Sequence, residues 1–231
     1  MKKIALILSF LILGNYSWSQ VILSWEFSSI PSGSGNQPVT SVADSFGSNI
    51  STSSPSGELT RGAGIAASSR AGGFSATGFS SSTTDFAGAL VADDFFTFSV
   101  APDSGFSINL SSLDINFDTS ATGPQNWGLF SSVDGFTSAI DTFTADVDGA
   151  SHNLSIGDAS YDTLTSSVEF RLVGHGASSG SGTAAFVGSG ADIVLNGITS
   201  AIPEPSTYAL IFGGFALGVV MLKRRITAFS S

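Results

Sequence analysis

The chain has 231 residues and a formal charge of −10, although only 11% of its residues are charged and 42% are hydrophobic. An acidic chain of this kind repels phosphate backbones, which excludes nucleic acid as a partner. The absence of cysteine excludes a disulfide framework and a thiol nucleophile, so stability has to come from a hydrophobic core.

In chain order, Lys2 and Lys3 precede an apolar run over 4–13, and Ser17 and Ser19 supply small residues at −3 and −1 of a cut before Gln20. This is the three-part pattern of a secretory signal peptide over 1–19, passed through the secretion translocon and removed. The exported domain is expected over 20–200. It opens with a strand in which Leu23, Trp25 and Phe27 alternate onto one face, followed by long loops and short strands over 28–57. Phe95–Val100 reads as a strand. Phe106, Ile108 and Leu110 alternate in one phase and Leu113, Ile115 and Phe117 in the other, which predicts a bulge or bend between two halves. Trp127 and Leu129 lead to Asp134-Gly135, a hairpin-turn signal. Val168, Phe170 and Leu172 alternate in a further strand, with His175 in the loop that follows, and Asp192–Ile198 closes the domain. No helical period longer than a turn occurs outside the terminal segments. The fold class is therefore all-β: an antiparallel β-sandwich, expected to be a jelly roll, with first and last strands side by side and both termini at one end.

The chain ends in three parts. A linker over 201–206 contains Pro203, Glu204 and Pro205; an uncharged run over 207–222 follows; and Lys223, Arg224 and Arg225 open a basic tail over 223–231. A transmembrane helix over 207–222 would be roughly 24 Å long, at the short limit for a bilayer. The cations would stay in the cytoplasm with the body outside. The prolines keep the linker extended beside the membrane. This order of parts resembles the PEP-CTERM sorting signal of Gram-negative bacteria. The resemblance implies an inner-membrane-anchored precursor, recognition by an exosortase, cleavage near Pro203-Glu204-Pro205, and release to the cell surface or extracellular matrix. A permanent single-pass anchor is the plainer alternative. Arg61-Gly62-Ala63-Gly64, Asp94-Phe95-Phe96-Thr97-Phe98, Gly123-Pro124-Gln125-Asn126-Trp127 and Phe170-Arg171-Leu172-Val173-Gly174 are similar to uncharacterised passenger domains of such proteins. The Ser131–Phe136 piece is similar to a scaffold hairpin of discoidin-like jelly rolls, which carries over no sugar-contacting residue.

Enzymatic chemistry is not expected. The only histidines are His152 and His175, and the exported part has no lysine. Seventeen Asp and Glu against three Arg leave fourteen net negative charges between residues 20 and 200. Most of these acids sit in turn sequences such as Asp103-Ser104-Gly105 and Asp148-Gly149. No cofactor is expected beyond a structural calcium, for which Asp141, Asp146 and Asp148 are the candidate ligands and Asp158 with Asp162 a second group. Trp25 and Trp127 read as core, and Arg171 projects away from Phe170 and Leu172, where it can pair with a carboxylate. The function expected is a noncatalytic interaction domain at the cell surface. The alternative is a carbohydrate-binding jelly roll of the exopolysaccharide matrix.

Overall fold

The computed structural model of the chain describes residues 19–204 and 212–219. The elements follow in the order β1 (Gln20–Trp25), β2 (Thr40–Val42), β3 (Ser45–Phe46), β4 (Glu58–Arg61), β5 (Ala66–Ala67) and β6 (Gly73–Thr77). A helix α1 (Phe86–Val91) then precedes β7 (Phe95–Val100), β8 (Phe106–Thr119), β9 (Asn126–Ser131), β10 (Asp141–Thr144) and β11 (Ala150–Ser155). The last strands are β12 (Val168–His175), β13 (Thr183–Val187) and β14 (Ile193–Ala201), and 3-10 turns cover Ser34–Asn36 and Ala159–Tyr161. The strands form two antiparallel sheets. One has the order β3-β1-β14-β8-β13-β6-β5 with β11 also paired to β8, and the other runs β10-β9-β12-β7-β4-β2.

The fourteen-residue β8 organises the larger sheet. Ile115 pairs with both Ile193 of β14 and His152 of β11, and Phe117 pairs with both Phe186 of β13 and Ala150 of β11. β13 and β14 therefore follow one another along one edge of β8 while β11 occupies the other. The phase change read in the sequence is real: Asn196 pairs with Ser112 and Gly197 with Leu110, so Ser111 is the extra residue of a bulge.

The two sheets meet through aromatic side chains supplied by the alternating positions. Phe96 of the smaller sheet lies 4.9 Å from Phe186 and 6.3 Å from Phe117 of the larger one, and Trp127 lies 4.7 Å from Phe117. Trp25 meets Phe98 edge-on at 5.5 Å. Both tryptophans are fully buried, and their indole N–H groups are satisfied by the Ser41 and Pro124 carbonyls, as buried donors require. Gly174 leaves room for the Trp127 ring, since a Cβ there would fall 2.7 Å from it.

β1 pairs with β14 antiparallel, Gln20 opposite Gly197 and Trp25 opposite Ile193. The chain thus enters and leaves the sandwich at the same end. Beyond β14, residues 202–204 are exposed and without regular structure.

Three local expectations are corrected. A helix does occur, because Asp85 caps it by accepting from the Gly88 N–H at 2.8 Å and the short run that follows packs on the sheet. His175 is the last residue of β12 rather than a loop residue, paired with Asn126. The β9–β10 hairpin closes through residues 132–140 and not through a two-residue turn.

Residues 1–18, 205–211 and 220–231 lie outside the described residues, and with them the signal peptide core, Pro205, Lys223, Arg224 and Arg225. Residues 212–219 are helical and exposed. No helix among the described residues is long and apolar enough to cross a membrane.

Candidate functional site: a groove beside α1

Strand alternation sends Phe95, Phe130, Arg171 and Val173 outward from the smaller sheet, away from the sandwich core. Phe130 and Arg171 are direct cross-strand partners, as are Phe95 and Val173. Such an apolar patch needs cover. α1 provides part of it: Ala89 is fully buried against Phe95, Phe130 and Val173, with Phe86, Leu90, Phe136 and Ala139 packed around them. Gly128 opens the floor, since a Cβ there would stand 3.0 Å from the Phe86 ring.

Between α1 and the turn after β9 lies an open groove of about 610 Å³. Its walls are Phe86, Leu90 and Val91 on one side and Gly135–Thr137 on the other, with Arg171 at the base. Val91 is 88% exposed.

Arg171 is held on three sides. Its guanidinium lies 3.9 Å from the Phe136 ring centre and 4.5 Å from that of Phe95, an arrangement favoured by the ring quadrupoles. Its Nε donates to Glu169 Oε1 at 2.8 Å, and the same oxygen accepts from Thr97 Oγ1 at 3.1 Å. Phe136 reaches the guanidinium from a left-handed backbone, φ 61°, which is unfavourable for a bulky residue. The turn is fixed by the Asp134 carboxylate, which accepts from the Thr137 hydroxyl and the Ser138 N–H, both at 2.9 Å.

The larger sheet carries a contrasting outer face. Asn153 and Asn196 both donate to the Asp114 carboxylate, Ser151 donates to Asn116, and Arg70 pairs with Asp118. A shallow polar depression of about 510 Å³ and one of mixed character of about 290 Å³ lie along it. Its side chains mostly satisfy one another.

The predicted calcium ligands are only partly brought together. Asp146 and Asp148 share one turn, where Asp146 Oδ1 accepts from the Asp148 N–H at 3.0 Å. Asp141 starts β10, and its two oxygens accept from the N–H groups of Thr142 and Ser155. Asp158 caps the 3-10 turn through the Ser160 N–H, and Asp162 ends that turn. Among the described residues, no three His, Asp or Glu side chains are grouped as metal ligands.

Both histidines are packed against phenylalanine. The His152 ring centre lies 4.1 Å from that of Phe143, and His175 lies 4.6 Å from Phe86. Burial lowers both pKa values, against smaller opposing effects from Asp146 and Asp85 respectively.

At the expected processing sites, Ser19 and Gln20 are exposed at the start of β1, and Gln20 donates to Thr199 on β14. Pro203 and Glu204 are exposed. The sequence reading placed Arg171 on the right face but missed α1 and Phe136. Asp85 ahead of an Ala- and Leu-containing run was the available signal.

No protein-family model matches the chain, and no curated protein matches it. Among solved structures, a mutant of CBM29-2, described as a family 29 carbohydrate-binding module, aligns with 80% of this chain and 94% of that chain. The identity is 12% and the TM-score 0.33, a likeness too distant to carry function.

Proposed function

We propose that the chain is an exported, noncatalytic interaction domain of the cell surface or extracellular matrix, sorted through its PEP-CTERM-like end. The observation that carries the reading is the coincidence of fold and address labels. β1 starts at Gln20, the first residue after the expected signal cut, and β14 ends at Ala201, immediately before Ile202-Pro203-Glu204. On this reading the sandwich, a jelly-roll variant built on β8, is the passenger. The precursor sits in the inner membrane through residues 207–222, and an exosortase cuts at the exposed linker.

The groove beside α1 favours the second reading, a carbohydrate-binding module of the exopolysaccharide matrix. Aromatic walls around a fixed guanidinium are suited to a ligand with apolar faces and polar edges. Calcium held by Asp146 and Asp148 with loop carbonyls remains an accompanying proposal. A rise in melting temperature on adding calcium supports it by linkage, and no shift removes it.

The test of sorting is genetic. In a host with the matching exosortase, a variant with Pro203, Glu204 and Pro205 all replaced by alanine should accumulate as membrane-bound precursor, while wild type leaves the membrane fraction. Equal release of both would refute the role given to the linker.

A further inference from the structure

We infer that the groove beside α1 binds a neutral pyranose segment of a polysaccharide, with Arg171 fixing the sugar hydroxyls and Phe136 stacking on the ring. The inference rests on the carbohydrate reading above and names its site and ligand class.

The first argument is the unused hydrogen-bonding capacity of a fixed guanidinium. The exported domain has three arginines, and the other two are engaged elsewhere. Arg61 donates from Nε and both terminal nitrogens to Ser75, Pro38 and Gln37, and Arg70 pairs through one terminal nitrogen with Asp118 on the outer face of the larger sheet, away from any aromatic wall. Arg171 uses only Nε, on Glu169 Oε1. Its two terminal nitrogens have no hydrogen-bond partner among the described residues. The Arg171 side chain remains 26% exposed and that of Glu169 36%. A rigid donor fork matches neighbouring sugar hydroxyls, each of which can accept.

The second argument is the backbone of Phe136. Its left-handed φ of 61° costs free energy that a glycine would avoid. The ring it presents is only partly buried at the groove wall. Stabilising Arg171 accounts for one face of that ring, and stacking a ligand accounts for keeping it at the groove.

The third argument is charge. Arg171 and Glu169 together are neutral, and the domain carries fourteen net negative charges. A polyanion would be repelled on approach, whereas an uncharged polymer would not. The groove's volume of about 610 Å³ lies in the range of small-ligand sites.

The test uses the full chain in a non-glycosidic detergent, titrated calorimetrically with neutral hexasaccharides of glucose, mannose or galactose and with hexagalacturonate. At least one neutral hexasaccharide should bind saturably, with a Kd between ~10 μM and ~1 mM. Phe136→Gly should weaken that binding at least ~10-fold while the melting temperature changes by only a few degrees, because relief of the left-handed strain offsets the lost packing and cation–π contact of the ring. Arg171→Lys should weaken it similarly by removing the fork. The inference is overturned if no neutral hexasaccharide binds at about 5 mM, if hexagalacturonate binds in preference, or if both variants bind like wild type. Any of these results leaves the sorting reading standing, because that is decided by precursor processing in cells.

Discussion

Asp192 should destabilise the native state at neutral pH, and Asp192→Asn should relieve it. The residue is fully buried immediately before β14. Its Oδ2 accepts from the Phe27 N–H at 2.8 Å, while Oδ1 is buried without a partner. Its backbone joins two further strands, donating to Trp25 O at 2.7 Å and accepting from Asn116 N at 2.8 Å. Burial raises the carboxyl pKa from 3.8 to about 6, the Phe27 hydrogen bond opposes the rise, and the Glu26 charge adds to it. A shift of roughly two units corresponds to about 3 kcal/mol against the ionised form. Relaxation and solvent screening reduce this to the order of 1–2 kcal/mol. Asparagine keeps an oxygen for Phe27 and removes the charge. For a domain of this size, the melting temperature should rise by about 3–6 °C at pH 7.5.

The pH dependence gives the cause. A raised native pKa means that the native state holds this proton more tightly than the unfolded chain. Wild type therefore loses stability from this group as pH rises from about 4 to about 6, and the loss is constant above that. The gap between Asp192→Asn and wild type should be small at pH 4 and complete by pH 7. Thermal unfolding followed by circular dichroism across that range measures it. A variant less stable than wild type at pH 7.5, or a gap independent of pH, would refute the reasoning.

Gly174→Ala should cost about 1–3 kcal/mol, because its methyl group would meet the Trp127 ring inside a close-packed core; chemical denaturation with an unchanged m-value checks this. His152→Leu should behave in the opposite sense to Asp192→Asn with pH. Burial lowers the His152 pKa, so the unfolded chain binds that proton more readily and wild type loses stability as pH falls through about 6.5. The variant should lack that loss, seen as a melting-temperature gap that opens in its favour below pH 6.5.

Period-two patterning made the sandwich legible wherever a strand buries one face. The phase change between Leu110 and Leu113 placed an irregularity between the two halves of β8, because a slip of one position reverses every side chain; the register then shows it to be a bulge at Ser111. It could not show that β13 and β14 share one edge of β8, since pairing depends on contacts distant in sequence. Arg171 was assigned to the outer face by alternation alone. Its enclosure by Phe95 and Phe136 was not legible, because Phe95 comes from another strand and Phe136 reaches it from a left-handed turn. α1 escaped for a different reason. Six residues are too few to establish a 3.6-residue period, and the helix depends on its cap and on the sheet beneath it. The grouping of Asp141 with Asp146 and Asp148 followed proximity in sequence, whereas the Asp141 carboxylate is engaged by Thr142 and Ser155.

The central claim is that a folded passenger is separated from its C-terminal address. The intact mass of the mature protein from an exosortase-positive cell tests it most directly. The account predicts a chain that starts at Gln20 and ends in the Pro203-Glu204-Pro205 region, just past β14. A mature chain that still carries residues 207–222 in that cell would contradict it and establish a permanent anchor.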